Sequence, residues 1–575
     1  MRIKMNDFAV TREKLLSAER GRVAKRSALL RAALGYPNTY EVGMSNLGFQ
    51  TIYRLLNQMD RVACERFFLF DFPPYRGTRT LESDRNIKDF DLIAFSVPFE
   101  LDYPNVLKLL KLSEIPLLSS QRKENAPLII AGGVAPTLNP EALAPFVDCL
   151  LIGEAEEMLT EFMELYFTFH RRKVSRERVL LELSRIEGVY VPRFYEFSYY
   201  PDGTVKEMTL KKDVPEKVVS RSVGLKNLET FSPITSPYAH FKDSLLIEMG
   251  RGCARRCRFC AAGFAYQPCR FYTKESVLSQ VEKYAGVRKH VGLIGSLISD
   301  HPELEDICEA LHSGGFEIGT SSLRVDSISE SLLKILVDSG MRTLTVAPEV
   351  GTDRMWQVIN KKIDREAVLK SAELASEASI PRLKLYLIIG LPFEREEDID
   401  GIVDLVRDVH RIFIQEYKPG KAHGKKRSLR RLRISVNPFV PKPHTPFQWC
   451  GMDQEKELKR KLGKITEGLK GLRGIHIEKK SVRRAVLQGL FSLGNRDVGK
   501  GLYYTVEENL NFRLAWKKAG VQPELIVFQP KRLASPLPWD IVDSGISQTR
   551  LKRELEEAKR AAAGRNREIS CPGES

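Results

Sequence analysis

An apolar run, Ser244-Leu-Leu-Ile-Glu-Met249, stops at Gly250 and Gly252. Three cysteines follow within eight residues: Cys253, Cys257 and Cys260. No other stretch of the 575-residue chain restricts fold and chemistry so tightly. A short apolar run bounded by glycines reads as a buried strand. In barrel-type α/β folds, chemistry collects at the carboxyl ends of strands, which is where these thiols fall. The spacing is CxxxCxxC. Three thiolates on one short loop can hold three irons of a [4Fe-4S] cube. With no fourth local cysteine, one iron stays open to a substrate or cofactor. A zinc site needs four ligands, normally as paired CxxC or Cys/His knuckles. The next cysteine, Cys269, sits on a different stretch without a partner. Structural cysteines do not cluster three in eight residues, and nothing in the sequence suggests the secretory context a disulfide needs.

The surrounding segment, 241–450, alternates strands with helical patterns. Candidate strands are 244–249, 291–296, 316–321, 343–347, 384–389 and 432–436, which makes six βα units. Ser327-Ile-Ser-Glu330 reads as a capping box before a helix over 332–337, with Gly340 as its stop. The two further strands of a full eight-unit barrel are not found. Residues 30–172 read as a first, doubly wound, Rossmann-like α/β domain, with apolar runs at 30–35, 67–70, 92–97, 128–131 and 149–152. Gly132-Gly133 and Gly153-Glu154 follow directly on two of these runs. In such sheets ligands bind outside the carboxyl ends of the strands. Residues 173–240 read as a linker with short strands, including a turn at Pro201-Asp-Gly203. Residues 451–561 form an accessory region whose last helix begins near Thr549. Residues 1–29 are an extension, and 562–575 a small, polar, disordered tail.

The hydrophobic fraction, 43%, suffices for several cores. The net charge is +16, and the pI is about 9.3. That balance admits a nucleic-acid or other anionic partner without establishing one. Part of the excess is local: residues 418–433 hold eight Lys or Arg in sixteen positions. They read equally as a solvated loop or a binding patch, on the barrel face opposite the active site. No secretory h-region and no window of about 18 apolar residues is found, so a soluble, cytoplasmic protein with no membrane partner is expected.

With Phe259 directly before its last cysteine, the segment Gly252-Cys-Ala-Arg-Arg-Cys-Arg-Phe-Cys-Ala261 resembles the radical SAM enzymes. The resemblance implies that the open iron chelates the amino and carboxylate groups of S-adenosylmethionine. An electron, from a flavodoxin- or ferredoxin-type donor, then releases a 5'-deoxyadenosyl radical. It implies a partial barrel, with SAM contacts at successive strand ends. Phe259 would pack on adenine or cover the cluster. Ser321, Ser322 and Arg324 would meet the carboxylate, for which an arginine fork suits. Glu349, in Val346-Ala-Pro-Glu-Val-Gly351, would take ribose hydroxyls, and Gly390-Leu-Pro392 would let backbone approach adenine. No catalytic side chain beyond the cluster is assigned. One element departs from the superfamily pattern. The glycine-rich GGEP-like segment is replaced by Gly295-Ser-Leu-Ile-Ser-Asp-His-Pro302, where Ser296, Ser299 or Asp300 are the substitutes available.

Over nearly the whole chain the order of elements resembles the radical SAM proteins that carry a cobalamin-binding domain, and within them an uncharacterised bacterial family. The segments that carry the match are Tyr40-Glu-Val-Gly-Met-Ser-Asn-Leu-Gly48, Ala131-Gly-Gly133, Gly153-Glu-Ala-Glu156, Asn437-Pro-Phe-Val-Pro-Lys-Pro-His-Thr-Pro-Phe447 and Leu537-Pro-Trp-Asp540. For the first domain this implies a cobalamin site at Ser96, Gly132, Gly133, Gly153 and Glu154. Many such domains ligate cobalt with the histidine of D-x-H-x-x-G, but here the stretch from Pro37 to Gly48 has none, and the first histidine of the chain is His170. Either cobalamin binds without a protein imidazole or the domain has lost it. The leading reading is radical modification of an unactivated C–H position, with methyl transfer through cobalamin as its extension and the substrate unidentified. A second is cobalamin-independent RNA modification, since Pro441-Lys-Pro-His-Thr-Pro446 resembles methylthiotransferases. Against methylthiolation, the first domain holds only Cys64 and Cys149, not the three cysteines of an auxiliary cluster. A third, from another class, is a cobalamin or nucleic-acid binding module with a structural cluster.

Overall fold

In the computed structural model of the full chain, residues 11–23, 25, 28–69, 79–284, 289–415 and 430–564 are described. Most of the basic stretch, 418–429, and the tail beyond 564 lie outside them.

The first sheet grows from strands that are apolar on both faces, as a parallel sheet covered by helices on each side requires. β1 (Leu30–Tyr36), β2 (Val62–Phe68), β3 (Leu92–Ser96), β4 (Leu128–Gly132) and β5 (Cys149–Leu151) are buried along almost their whole length. They run parallel in the order β2-β1-β3-β4-β5. The chain steps outward from β1 to β2, then returns across β1 to β3. That reversal creates a switch point between β1 and β3 at the carboxyl edge of the sheet. The run expected at 67–70 is therefore the end of a longer strand, and Phe70 lies outside the described residues.

Two segments of the expected linker belong to this domain. β6 (Val189–Tyr190) pairs antiparallel with β5. Arg176 reaches Asp148, just before β5, through Nη2–Oδ2 at 2.7 Å. β7 (Tyr195–Tyr199) and β8 (Val205–Leu210) form a hairpin across the expected turn at Gly203, whose φ is +85°. β9 (Val218–Val219) then runs on beside the domain.

The second unit begins with β10 (Leu245–Arg251), which turns back on itself through β11 (Arg270–Phe271). Residues 252–269 are thus a closed excursion from the top of β10. β12 (His290–Gly295) and β13 (Glu317–Thr320) continue in parallel. β14 (Thr343–Glu349), β15 (Arg382–Ile389) and β16 (Arg431–Pro438) form a second parallel ladder. An isolated parallel bridge, Leu323 to Val346, joins the two ladders. All six expected strands are present. The ladder then gains a seventh, β17 (Ile475–Lys479), parallel to β16 and drawn from the region read as accessory. The capping residue before the third helix is Ser329, which accepts from Leu332 N, and not Ser327, which bonds Asp300 instead. Gly340 closes that helix as expected, at φ +96°.

The accessory region bridges both units. Phe491 packs on Tyr103 of the first domain, and Asn139 donates to the carbonyls of Ser492 and Gly494 at 3.0 and 2.7 Å. Arg496 pairs with Glu141 at 2.8 Å. β18 (Val542–Asp543) pairs with β9, and the helix Gln548–Ala562 ends the described chain. Among the described residues no helix is long and apolar enough to cross a membrane.

Candidate functional site

The three cysteines sit half-buried and unbridged on the excursion from β10. Its path leaves no room for side chains at two points. A Cβ on Gly252, at φ +76°, would lie 2.1 Å from the Tyr266 carbonyl, and one on Gly263 would lie 2.8 Å from Arg256 Cα. Gln267 Nε2 donates to the carbonyls of Cys253 and Gly263 at 2.8 and 2.9 Å, which fixes the loop's two limbs together. Burial pushes the Cys257 thiol up to about 12 and raises that of Cys260, while the Lys361 ammonium opposes both shifts. Thiols in such surroundings ionise readily only beside strong positive charge, and a ligated metal deprotonates its thiol outright. Among the described residues no three His, Cys, Asp or Glu side chains are gathered as one metal ion would require. A cubane makes a different demand, one thiolate per iron corner, and the donor set fits it.

Glu349 ends β14, and its charge bears on Cys257 and Cys260. Strand alternation buries Leu344, Val346 and Pro348 against the helices and leaves Thr345, Ala347 and Glu349 on the half-buried inner face. A register shift between Val346 and Glu349 turns Glu349 to φ +68°, a left-handed conformation that non-glycine residues seldom adopt. Its carboxylate lies 3.1 Å from Lys361 Nζ, which also donates to the Ala347 carbonyl. Lys361 was not singled out from the sequence, and no motif marks it. Phe259 is half-buried against the core.

The remaining expected SAM contacts are less gathered. Ser321 and Ser322 are exposed on the loop after β13. The Arg324 guanidinium is held by Asp326 at 2.9 and 2.8 Å. Gly390, at φ +75°, donates its N–H to Glu394, and a Cβ there would meet Leu458 at 2.7 Å. In the segment that replaces the glycine-rich element, Ser296 donates to the Gly252 carbonyl at 2.6 Å and Ser299 accepts from Arg324 N. Asp300 pairs with Arg255 on the cysteine loop. Ser296 and Asp300 thus brace the loop, while Ser299 holds the segment after β13.

Of the residues expected at the first domain's ligand edge, three are occupied by protein. A Cβ on Gly133 would lie 2.8 Å from the Val97 carbonyl, and one on Gly153 would lie 2.3 Å from that of Arg221. Glu154 is held by Arg270 at 2.5 Å and by Arg251 at 3.2 Å, both at the base of the cysteine loop. Glu156 takes Arg251 as well, at 2.5 Å. These pairs turn the carboxyl edge of the first sheet toward the cysteine loop. Ser96 and Gly132 remain half-buried there. Beside them Val42, Phe99 and Val134, from the segments after β1, β3 and β4, stay 39–44% exposed. Large apolar side chains left open at a ligand edge suit a partner with a broad apolar face.

Residues 48–192 match the family model described as radical SAM proteins, N-terminal, and residues 247–406 match that of the radical SAM superfamily. The chain is 29% identical over 482 residues to the uncharacterized protein MJ0966 of Methanocaldococcus jannaschii, covering 82% of this chain and 90% of that one. It is 25% identical over 196 residues to the ribosomal protein uS12 methylthiotransferase RimO of Thermodesulfovibrio yellowstonii, covering 31% and 45%. A solved structure of the cobalamin-dependent S-adenosylmethionine radical enzyme OxsB, with aqua-cobalamin and S-adenosylmethionine bound, aligns over 92% of this chain and 79% of that one, at 13% identity and a TM-score of 0.46. With three thiols closed into one loop at a strand's carboxyl end and the two family models spanning more than half of its length, this chain is an enzyme of the radical SAM superfamily.

Proposed function

We propose that the enzyme binds a [4Fe-4S] cluster at Cys253, Cys257 and Cys260, and functionalises an unactivated C–H position of its substrate. The observation that carries this reading is the single closed loop at the carboxyl end of β10, tied together by Gln267, that holds all three thiols. When bound, the cluster and SAM supply the radical chemistry. The chain's own residues do the rest. Glu349, held in its unusual backbone conformation, presents a carboxylate to ribose hydroxyls. Lys361 neutralises that carboxylate when SAM is absent and lies close enough to favour the thiolate forms of Cys257 and Cys260. Gln267 and Ser296 hold the loop shut around the cluster. Arg251 and Arg270, through Glu154 and Glu156, face the first domain onto this loop and shield it from water.

Methyl transfer through cobalamin is the extension favoured by one observation, the exposed Val42, Phe99 and Val134 beside Ser96 and Gly132. When bound there, cobalamin would carry the methyl group. The residues that follow β1 include no histidine, so any such cofactor is held without an imidazole from that segment. The test is anaerobic reconstitution of wild type and of the Cys253→Ala, Cys257→Ala, Cys260→Ala triple variant. Wild type is expected to load one [4Fe-4S] cluster and, once reduced, to convert SAM to 5'-deoxyadenosine. A triple variant that loads a full cluster refutes the assignment of the ligands. A cluster-loaded wild type that does not cleave SAM refutes the proposed reaction.

A further inference from the structure

The segment between Cys257 and Cys260 carries an arginine that the proposed chemistry leaves unused, and it is almost wholly buried. Arg258 is 5% exposed. Every polar edge of its guanidinium is engaged. Nη1 donates to the carbonyls of Gln357 and Val358 at 2.9 and 3.0 Å, Nε to Glu554 at 3.0 Å and Nη2 to Glu557 at 3.1 Å. Its backbone N–H donates to the Ile359 carbonyl at 2.9 Å. Glu554 and Glu557 are three apart on the C-terminal helix Gln548–Ala562, and so share one face of it.

The same helix holds two further arginines, each from a segment that follows a barrel strand. Arg395, after β15, donates to the Ala562 carbonyl at 2.8 Å. Arg354, after β14, reaches the same carbonyl at 3.5 Å. Both approach the helix's carboxyl end, where unpaired carbonyls attract cations. One helix therefore ties together the segments that follow β10, β14 and β15, beyond the strand ends that lead to the cysteines, Glu349 and Gly390. A buried guanidinium shared between two carboxylates and two carbonyls is geometrically exacting, and a lysine cannot reproduce it.

We propose that the C-terminal helix positions the cluster, with Arg258, Glu554 and Glu557 as positioning residues that set how the three thiolates present the open iron to SAM. Groups one shell beyond a metal's ligands orient those ligands and tune the metal, and their loss costs about ten- to a hundred-fold in affinity or activity. The inference rests on the proposed cluster site.

The experiment compares wild type with Glu554→Gln/Glu557→Gln, with Arg258→Lys, and with Glu556→Gln as the control on the same helix. The EPR spectrum of the reduced cluster is recorded with and without SAM, and the SAM Kd is measured. The paired glutamine variant and Arg258→Lys are expected to retain iron, to show altered g-values, and to bind SAM about ten-fold or more weakly. Glu556→Gln should match wild type. Wild-type spectra and wild-type SAM affinity in both altered variants overturn the proposal. A wild type that takes up no cluster overturns the function reading instead. Amide exchange serves whether or not a variant takes up iron. Residues 253–263 should lose protection together with 548–562 in the paired glutamine variant. A cysteine loop that stays protected while the helix opens overturns the coupling.

Discussion

Replacing Glu349 by Gln separates a cofactor contact from a purely structural pair. The substitution preserves shape and one acceptor oxygen but removes the charge. Glu349 and Lys361 side chains are 14% and 9% exposed, with 3.1 Å between the charged atoms. At an effective dielectric of ~20, their attraction is about 5 kcal/mol before desolvation takes most of it back. If the pair only supports the fold, the variant loses stability and binds SAM as wild type does. If the carboxylate accepts from ribose hydroxyls, a charged acceptor is lost from the complex, at about 1.5–3 kcal/mol. That corresponds to roughly 10- to 150-fold in Kd. The assay is calorimetric titration of SAM into cluster-loaded protein, with iron content and the unfolding midpoint measured on the same samples. We expect a rise in Kd within that range at unchanged iron content. An unaltered Kd with a lowered midpoint refutes the assignment and leaves Glu349 as the partner of Lys361 alone.

Three further outcomes follow from the structure. Burial holds His444 down to about 4, so between that value and about 6.5 the unfolded chain binds a proton that the folded one refuses. His444 therefore supplies stability that is complete above pH 6.5 and is lost as pH falls toward 4, by about 3 kcal/mol. Asp102, raised to about 6 by burial, works the other way over much of the same window, so the comparison must be between wild type and His444→Asn. The variant should lose less stability to urea between pH 7 and 4.5, and identical losses in the two proteins would remove His444 as a cause. Gly252→Ala, which forces a Cβ toward the Tyr266 carbonyl at a left-handed φ, should lower cluster loading in a protein that still folds. Full iron content in that variant would show that the loop relaxes freely. Gly153→Ala should lower the unfolding midpoint, by roughly 2 kcal/mol or more in stability, because its Cβ would meet the Arg221 backbone. An unchanged midpoint would mean that the 218–225 segment is not packed on β5 in solution.

The elements that could be read without the structure are those whose signal is local. The cysteine spacing, the six apolar runs of the barrel and the five of the first domain each declare themselves within ten residues. Their order along the chain then selects a doubly wound sheet followed by a partial barrel. The place of Glu349 at a strand's carboxyl end was legible for the same reason, since it closes a recognisable apolar run. β17 was not, because Ile475-His-Ile-Glu-Lys479 is half-buried at best and flanked by charged residues, so its sequence lacks a core strand's signature. The stretch 189–192 reads as a short strand of the linker, but two residues carry no periodicity that would assign β6 to the first sheet.

What only the tertiary structure decided is which distant charges meet. Arg258 finds Glu554 across 296 positions, and Arg270 finds Glu154 across 116. The glycines at 133 and 153 looked like openings for a cofactor, yet each is filled by another stretch of backbone. Such meetings depend on how loops at the carboxyl edges of two sheets are brought face to face. That arrangement is set by the sum of many weak contacts over the whole chain, not by the composition of any window. The thiols' spacing thus points to the proposed ligands of the cluster, while packing decides which groups surround them.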